Sequence, residues 1–570
     1  MKKTYSLLPR LIAFLAVALA LLMPATNLFA QNNSPLCFTA RNGSVTVKFD
    51  IKNATHTIQY STDGTSWSTY TSNQQVALSA DQSVYFRAES NQNSAVAFAN
   101  SNDGGNTYIH SHFNFSSSNG GTVEGSGNIM SLYGPDCPDL PLQLGAFVEM
   151  FENCSLLTTA PSLPATILAN DCYYSMFSGC TSLTVAPSLP ATTLEEYCYA
   201  SMFKGCTSLT TAPSLPATTL PAECYYSMFY NCTSLTTAPS LPATTMNTYC
   251  YAYMFNGCTS LTTAPALPAT TLAVSCYARM FEGCSSLTEA PALPATTLEK
   301  KCYDHMFSNC TSLTTAPELS ATTLAEECCF GMFGYCTSLT EAPALPATTL
   351  SNHCYGAMFY ECNSLTQAPA LPATTLADKC YADMFYNCTS LETTPALPAT
   401  TLTEECYNYM FSGCTSLKTI PSLPATTMVS SCYAFMFSGC TSLIVNKTAP
   451  GKEWIIPATE TVTGALTNMF GGTGGTMHAT PQVNTVYYIA SDSTTAVEDI
   501  DAMEYVVYSN NRQIVVRGAE GHTVTLYDIN GRIVAQTANA DESQNLTVSA
   551  AGVYLVCVDG MKGAKKVVVR

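Results

Sequence analysis

The chain has 570 residues, of which only 11% are charged, and its formal net charge is −18 at pH 7. Chains longer than about 250–300 residues usually divide into domains or stack repeated units. Proteins that bind nucleic acid carry clustered basic residues. The sequence shows no such cluster, so we exclude nucleic acid as a partner and attribute the acidity to solubility.

Residues 1–30 have the features of a signal peptide. A basic start that ends at Arg10 precedes the apolar stretch Leu11–Met23, and Ala30 offers a cleavage site before Gln31. No other stretch reaches the roughly 20 apolar residues that a membrane-spanning helix needs. The sequence therefore predicts a secreted or cell-surface protein with no transmembrane segment in the mature chain.

Residues 31–135 show the alternation of small β-domains. Strands are predicted at Ser44–Phe49, Thr57–Tyr60 and Ser83–Ala88, separated by turns rich in Asn, Ser and Gly. The pattern indicates a sandwich-like domain. Its role is either a binding module or a cover for the N-terminal end of the repeats that follow, and we favour the cover.

Residues 140–480 are built from a repeat. The dipeptide Met-Phe recurs twelve times between residues 150 and 436, always 26 residues apart. One series of cysteines runs from Cys172 to Cys432 at the same spacing, and a second series lies eight residues later in each unit. The first unit has Ala146 in place of its first cysteine, and a last unit at 465–473 lacks both cysteines. Atypical end units are typical of capped repeat arrays.

Within a unit, the apolar residues predict a short amphipathic helix. Counted from the first cysteine as position 0, they lie at 0, 4, 5, 8 and 11. Thr193 and Glu196 form a capping box, and Gly or Asn precedes the second cysteine in ten of twelve units, with Tyr335 and Glu361 as exceptions. Two prolines per unit limit the predicted strand to two or three residues at T-S-L-T.

The motif F-x-x-C-x-x-L, as in Phe177, Cys180 and Leu183, resembles the BspA-like leucine-rich repeats of bacterial surface proteins over about residues 140–480. The unit departs from that family in its greater length, its doubled proline and its Ala at the usual strand Ile. The resemblance implies adhesion or binding of a host protein. The expected fold is an α/β solenoid of leucine-rich-repeat type, with a short helix and a short strand in each 26-residue unit, flanked by two small all-β domains.

Residues 482–570 again alternate as β-strands do, with an Asn530-Gly531 hairpin signal. The stretches Leu526–Arg532 and Gly552–Val556 resemble the C-terminal sorting domain of the type IX secretion system. That resemblance implies passage across the outer membrane and attachment to the cell surface. A plain terminal β-sandwich is the alternative. The predicted strands are Arg512–Arg517, Thr523–Tyr527, Arg532–Gln536, Asn545–Ser549, Val553–Val558 and Lys565–Val569.

The 27 cysteines favour core packing over zinc or disulfides. Structural zinc sites use closely spaced cysteine pairs, whereas the units have C-x₇-C. On the predicted helix the two cysteines of a unit lie about 12 Å apart, beyond the roughly 7 Å that a disulfide spans. Bridges between equivalent cysteines of neighbouring units remain possible in distance. We predict two buried columns of reduced thiols.

A tyrosine follows the first cysteine in ten of eleven units, with Cys329 as the exception, and we favour packing between units over sugar or peptide binding. No histidine recurs in the repeat, and no catalytic or phosphate-binding motif is present. We therefore assign no catalytic, cofactor-binding or metal-binding residues and expect no enzyme activity. The histidines are His56, His110, His112, His305, His353, His478 and His522.

The sequence leaves two hypotheses about function. The first is an adhesin-like protein that uses an extended repeat surface to bind a host extracellular protein or another cell. The second is a structural or carbohydrate-capturing cell-surface component without a specific protein partner. Specific recognition would use the positions that vary between units just before the first cysteine, namely Glu195-Glu196, Asn247-Thr248, Lys300-Lys301 and Asn352-His353.

Overall fold

The computed structural model describes residues 34–52, 54–93, 98–101, 108–458, 462–490, 506–510, 513–517, 519–529, 531–538, 540–541, 543–548, 550, 552–559 and 565–569. The predicted signal peptide lies outside these residues. The chain divides into two compact units at residues 491 and 492.

The N-terminal β-domain has two main sheets around an aromatic core. A six-stranded sheet has the order β11-β10-β1-β6-β3-β4 and a three-stranded sheet the order β5-β2-β9. Phe38, Phe49, Phe86 and Phe113 are almost fully buried between them, with the rings of Phe49 and Phe113 stacked at 4.1 Å. The strands are β1 (Leu36–Arg41), β2 (Val45–Asp50), β3 (Ile58–Ser61), β4 (Ser68–Thr69), β5 (Gln75–Leu78), β6 (Ser83–Ala88), β7 (Ala99–Ser101), β8 (Tyr108–His110), β9 (His112–Ser116), β10 (Thr122–Ser126) and β11 (Leu157–Thr159).

The predicted α/β solenoid is wrong. Among the described residues the structure contains no α-helix, and its helical segment is the 3-10 helix Ile129–Tyr133, outside the repeats. Each predicted helix is instead a run of consecutive β-turns. We call this run the turn ribbon (residues 169–180 in the first full unit) and the remainder of the unit the extended arm (residues 181–194).

The backbone hydrogen bonds explain why the ribbon replaces a helix. Alternate N–H groups, such as those of Met176 and Cys180, donate to the carbonyl three residues earlier, which closes a β-turn. The N–H groups between them donate to the next repeat rather than within their own. An α-helix would keep both sets inside one unit. In the first full unit, Tyr173, Ser175, Phe177 and Gly179 donate to the carbonyls of Cys198, Ala200, Met202 and Lys204 at 2.7–3.1 Å.

Every fourth residue of the ribbon has a positive φ. In the first full unit these residues are Asp171 (φ 58°), Ser175 (φ 51°) and Gly179 (φ 73°). A positive φ at the third turn residue is the mark of a type II turn and favours Gly or Asn there. The predicted preference for Gly or Asn before the second cysteine thus reflects a turn, not a helix end. Tyr335 (φ 61°) and Glu361 (φ 57°) adopt the same conformation.

The side chains of the ribbon follow a period of four. Residues at positions 0, 1, 4, 5 and 8 are buried in each full unit, as Cys172, Tyr173, Met176, Phe177 and Cys180 show with at most 1% exposure. Equivalent side chains stack along the array. The phenylalanine rings from Phe151 to Phe470 form a column with centroids 5.3–5.9 Å apart and planes within 17° of parallel.

The extended arm pairs with its neighbours only at single residues. Parallel bridges join Thr159, Val185, Thr211, Thr237 and Thr263 in succession. The predicted strand of two or three residues forms in the first unit as β11, but not in the units between it and the strand Ile444–Asn446. The prolines delete backbone donors, so a continuous ladder cannot develop. The arm nevertheless buries its leucines and alanines toward the ribbon.

Both ends of the array are closed by segments that replace a missing repeat. At the N-terminal end, Phe98 and Phe113 donate backbone N–H bonds to Ala146 and Met150, as ribbon residues do, and Phe113 stacks on Phe151 at 5.4 Å. At the other end a short sheet of order β13-β15-β12-β14 covers the last unit. These strands are β12 (Ile444–Asn446), β13 (Lys452–Trp454), β14 (Gly474–Gly475) and β15 (Tyr487–Ile489).

The C-terminal unit consists of two antiparallel sheets around a separate core that includes Ile514, Val516, Leu526 and Val556. Their orders are β16-β17-β20 and β19-β18-β21-β22. Each of the six predicted strands overlaps an observed strand. The strands are β16 (Val506–Asn510), β17 (Gln513–Arg517), β18 (Val524–Asp528), β19 (Ile533–Thr537), β20 (Ser543–Thr547), β21 (Gly552–Val558) and β22 (Lys565–Val569).

Candidate functional site

The outward side chains of the turn ribbon form the most variable surface of the array. They stand at positions −1, 2, 3 and 6 relative to the first cysteine, and we call this surface the ribbon face. Position 3, for example, is Tyr253, Arg279, His305, Asp383 and Phe435 in different units. From the sequence, variability is predicted only before the first cysteine. Positions 2, 3 and 6 are added by the structure, although a helix with the same buried positions would also leave them outward.

Charged side chains on the ribbon face pair across repeats. Arg279 lies 3.2 Å from Glu282 in its own unit and 3.5 Å from Asp304 in the next. Lys301 and Glu327, one repeat apart, lie 3.1 Å from each other, and this hydrogen bond raises the pKa of the lysine. Partly exposed pairs of this kind contribute at most about 1 kcal/mol each. Their main consequence is a fixed pattern of charge along the array.

Five aromatic rings form a row along consecutive repeats, four of them on the ribbon face and Tyr335 beside it at position 7. Tyr335, Tyr360, Tyr386, Tyr409 and Phe435 follow one another with centroids 4.5–6.3 Å apart. Two of these contacts are parallel stacks, so in each of these two pairs the facing sides of the rings are covered. A sugar that stacks on an aromatic ring needs an open ring face. The row therefore offers fewer open ring faces than five separate rings would.

An acidic pair adjoins this aromatic row. Burial, together with the negative charge of Glu405, raises the pKa of Asp383 to about 6. The Asp383 carboxyl also raises the pKa of Tyr409, after the larger effect of burial. This part of the ribbon face consequently changes its charge near neutral pH.

The extended arm carries the opposite kind of surface, which we call the threonine face. Two adjacent threonines, such as Thr192 and Thr193, recur before the ribbon in ten units, and both are exposed. The face is uniform from unit to unit. A uniform surface cannot distinguish one part of a partner from another, so the ribbon face is the better candidate for specific recognition.

The F-x-x-C-x-x-L motif links the end of the ribbon to the arm. Phe177, Cys180 and Leu183 are all fully buried. The model of the BspA-type leucine-rich-repeat region matches the chain in six copies at residues 148–261, 172–314, 248–391 and 332–450, which together cover more than half of it. The chain belongs to the BspA-type leucine-rich-repeat family.

Outside these BspA-type repeats, residues 494–569 match a domain of unknown function, DUF6383. No curated protein and no solved structure is significantly similar to the chain. The type IX sorting domain predicted for this region is thus not identified by the match. Within the described part of the chain, no helix has the length and apolar character needed to cross a membrane.

The BspA-type repeat cysteines are core residues, as predicted, although the helix used to argue this is wrong. In the second series each Sγ lies 3.0–3.1 Å from a carbonyl oxygen, as between Cys258 and Phe229, and the thiol donates. Burial raises the pKa of Cys258 to about 12, which keeps the proton on sulfur. Reduced thiols remain a prediction, and thiol titration in denaturant without reductant is the measurement that checks it.

The recurring tyrosines of the BspA-type repeats are buried packing residues. From Tyr173 to Tyr433 they are at most 2% exposed and stack at 5.6–6.1 Å, with a break at Cys329. A ligand cannot reach them. The hypothesis that this column binds sugar or peptide is therefore wrong.

The structure keeps most histidines of this BspA-type protein apart, with one exception. His56, His478 and His522 each contact a backbone carbonyl, and His305 contacts Asp304. His110 instead meets two carboxylates of the first ribbon, Glu149 and Glu152. Sequence reasoning missed this cluster because its members lie some 40 residues apart and do not recur. The E-x-x-E spacing was its only local signal.

Proposed function

We propose that this protein is an exported binding protein of the bacterial surface that uses its ribbon face to hold a host extracellular protein or another cell. The observation that carries the proposal is the contrast between an invariant buried framework and a variable ribbon face. BspA-type repeats support a surface-located, protein-binding role in general, and the variability of the ribbon face supports its choice as the binding surface.

The physical argument rests on how the repeats are held together. Buried columns and backbone hydrogen bonds stabilise the stack, so side chains at positions −1, 2, 3 and 6 vary without loss of the fold. Repeat arrays of this kind create extended binding surfaces. Tyr and Arg, which supply much of the binding energy in protein interfaces, occur on the ribbon face at Tyr253, Arg279, Tyr386 and Tyr409.

A binding assay with matched variants tests this proposal. The full mature chain is passed over a panel of immobilised extracellular-matrix and serum proteins. We expect the double variant Tyr253→Ala/Arg279→Ala to weaken retention on the bound protein at least tenfold. The matched control Thr270→Ala/Thr296→Ala changes exposed threonines of the same two repeats and should bind as the wild type does.

Three results would contradict the proposal. Loss of binding in the threonine variant alone would show that the threonine face, and not the ribbon face, binds the partner. Retention on polysaccharides but on no protein of the panel would favour the carbohydrate-capturing alternative, which the covered ring faces of the aromatic row do not favour. Substrate turnover that survives purification and is abolished by one substitution would show an enzyme, which we propose the protein is not.

We further propose that residues 1–30 direct export and that residues 482–570 are needed for surface display. The resemblance of Leu526–Arg532 and Gly552–Val556 to type IX sorting domains supports the second part. Deletion of residues 492–570 should leave the protein inside the outer membrane, where protease added to intact cells does not cleave it. Unchanged surface exposure after the deletion would end the sorting interpretation.

A further inference from the structure

Three potential metal ligands converge where the N-terminal β-domain meets the first turn ribbon. One nitrogen of His110 and one carboxylate oxygen each from Glu149 and Glu152 all lie within 4.8 Å of one another. The Nδ1 atom of His110 is 2.8 Å from Oε2 of Glu149. Zinc bonds of about 2.0–2.2 Å at tetrahedral angles place ligand atoms about 3.3 Å apart, so small side-chain movements would close the cluster around one ion.

The fold fixes both halves of this cluster. His110 ends β8, and β9 is held on the ribbon by the bond from the Phe113 N–H to the Met150 carbonyl and by the Cys154 thiol, which donates to the Phe113 carbonyl at 3.1 Å. Glu149 has a positive φ of 54° in its turn. The ligands therefore stand on backbone that is already positioned without a metal.

A second ribbon shows what is unusual about the acidic pair. Glu149 and Glu152 occupy positions 3 and 6 of the first ribbon. In a later repeat the same two positions hold Arg279 and Glu282, which form an ion pair at 3.2 Å. The first ribbon thus places two like charges where another repeat places opposite charges. A bound cation would relieve the repulsion between these two carboxylates.

We propose that His110, Glu149 and Glu152 bind one divalent transition-metal ion, with Zn²⁺ the best-fitting class. The imidazole ligand favours Zn²⁺ over Ca²⁺, which takes six to eight oxygen ligands. Three protein ligands leave one tetrahedral position open, as in zinc sites that hold water or an external ligand.

The surroundings of the cluster can accommodate that fourth ligand. A cavity of about 320 Å³ is lined by His110 and Glu152 and also by His112, whose buried Nδ1 has no hydrogen-bond partner. Cys154 lines the cavity too, but its thiol already donates to the Phe113 carbonyl at 3.1 Å. The ligand set is therefore one nitrogen and two oxygens.

Metal titration of the full mature chain tests this site. After chelator treatment, we expect one Zn²⁺ per chain and a rise in the unfolding temperature when Zn²⁺ is added, because an ion that binds only the folded state stabilises it. The isosteric variants Glu149→Gln and Glu152→Gln and the variant His110→Ala should each weaken Zn²⁺ binding more than tenfold. Without metal they should unfold near the wild-type temperature.

Control measurements separate this site from the many thiols. His305→Ala removes a histidine that also contacts a carboxylate, Asp304, at 2.9 Å but lies outside the cluster, and it should bind Zn²⁺ as the wild type does. Co²⁺ should give the weak visible absorption of nitrogen and oxygen ligands, without the intense bands of thiolate. The proposal is wrong if Glu152→Gln keeps full Zn²⁺ binding, if Co²⁺ reports thiolate ligands, or if Ca²⁺ at the same concentration stabilises the chain equally.

Discussion

Within one repeat, the turn ribbon and the extended arm contact the following repeat in different ways. In the first full unit, the ribbon residues Phe177 and Gly179 donate N–H bonds to the next repeat at 2.9 and 2.7 Å. Bonds between neighbouring arms are fewer and vary more in length, from 2.9 Å for the Leu220 N–H to 3.5 Å for the Thr236 N–H. The ribbon also contributes the stacked columns of phenylalanine and tyrosine. We infer that the ribbon provides most of the stability of the array.

This difference explains where sequence variation is tolerated. The hydrogen bonds of the ribbon are made by the backbone. They require the buried side chains and the positive φ values of the turns, but they do not depend on which side chains point outward. The arm has fewer bonds, and its prolines restrict its backbone conformations directly. The arm therefore repeats almost unchanged, whereas the ribbon face varies. The residues that stabilise the array and the residues that vary thus occupy different positions of the same segment.

The largest expected effect is the loss of a ring from the phenylalanine column. Phe281 is fully buried, with neighbouring rings at 5.7 and 5.6 Å, so Phe281→Ala should lower the free energy of unfolding by about 3–5 kcal/mol. Phe330 is the matched control, because it lies on the ribbon face and is only partly buried. We expect Phe330→Ala to cost about 1 kcal/mol in urea unfolding. Equal costs would show that the column is not the main source of stability.

A smaller effect is expected from the buried carboxyl of the ribbon face. The pKa of Asp383, about 6, is above the value of about 3.9 in an unfolded chain. Folding therefore favours the protonated form, and stability falls as pH rises from about 4 to about 6. Asp383→Asn should remove this decline and stabilise the protein by at most about 3 kcal/mol at pH 7.

Unfolding temperatures at several values between pH 4 and pH 7.5 measure this effect. The quantity to plot is the difference between Asp383→Asn and the wild type, since other carboxyl groups also titrate. Glu341→Gln, on the extended arm, is the matched control and should give a curve parallel to that of the wild type. A difference that does not grow between pH 4 and pH 6 would contradict the burial of Asp383.

Substitutions of two glycines in the ribbon distinguish the stability cost of backbone strain from the cost of a steric clash. Gly257 and Gly283 have almost the same φ, 73° and 75°. A Cβ on Gly257 would lie 2.0 Å from Oδ1 of Asn231, whereas on Gly283 it would only touch Gly257 at 3.6 Å. We expect Gly283→Ala to cost about 1 kcal/mol from backbone strain and Gly257→Ala to cost about 2 kcal/mol. Equal costs by thermal unfolding would mean that Asn231 moves aside freely.

The sequence predicted some of these features and not others, for physical reasons. The 26-residue period, the end units near Ala146 and Met469, and the strands of both β-regions follow from patterns that local structure must obey. The helix prediction failed because apolar residues at positions 0, 4, 5 and 8 fit both a helix and a period of four. The buried tyrosine at position 1 fits both patterns too, since on a helix it would lie inside the same apolar stripe.

The candidate site was less predictable than the fold. Of the four positions of the ribbon face, the sequence prediction included only the one directly before the first cysteine, because the other three carry no motif. The cluster of His110, Glu149 and Glu152 depends on how β9 replaces a missing repeat, and that contact joins distant segments. The replacement of a repeat is revealed by Phe98 and Phe113, which occupy positions equivalent to ribbon residues. This equivalence can be recognised only from their backbone hydrogen bonds.

The smallest effect concerns the threonine face. Thr262 is exposed, and its Oγ1 lies 3.5 Å from the Thr236 carbonyl, at the limit of a hydrogen bond. Thr262→Ala should therefore change the free energy of unfolding by no more than about 0.5 kcal/mol. Leu261→Ala, at the adjacent and fully buried position, should cost about 2–5 kcal/mol in the same urea experiment, which shows that the assay detects losses in the arm. A cost above about 1 kcal/mol for Thr262→Ala would mean that threonine hydroxyls bind neighbouring arms together. The arm would then be held as firmly as the ribbon.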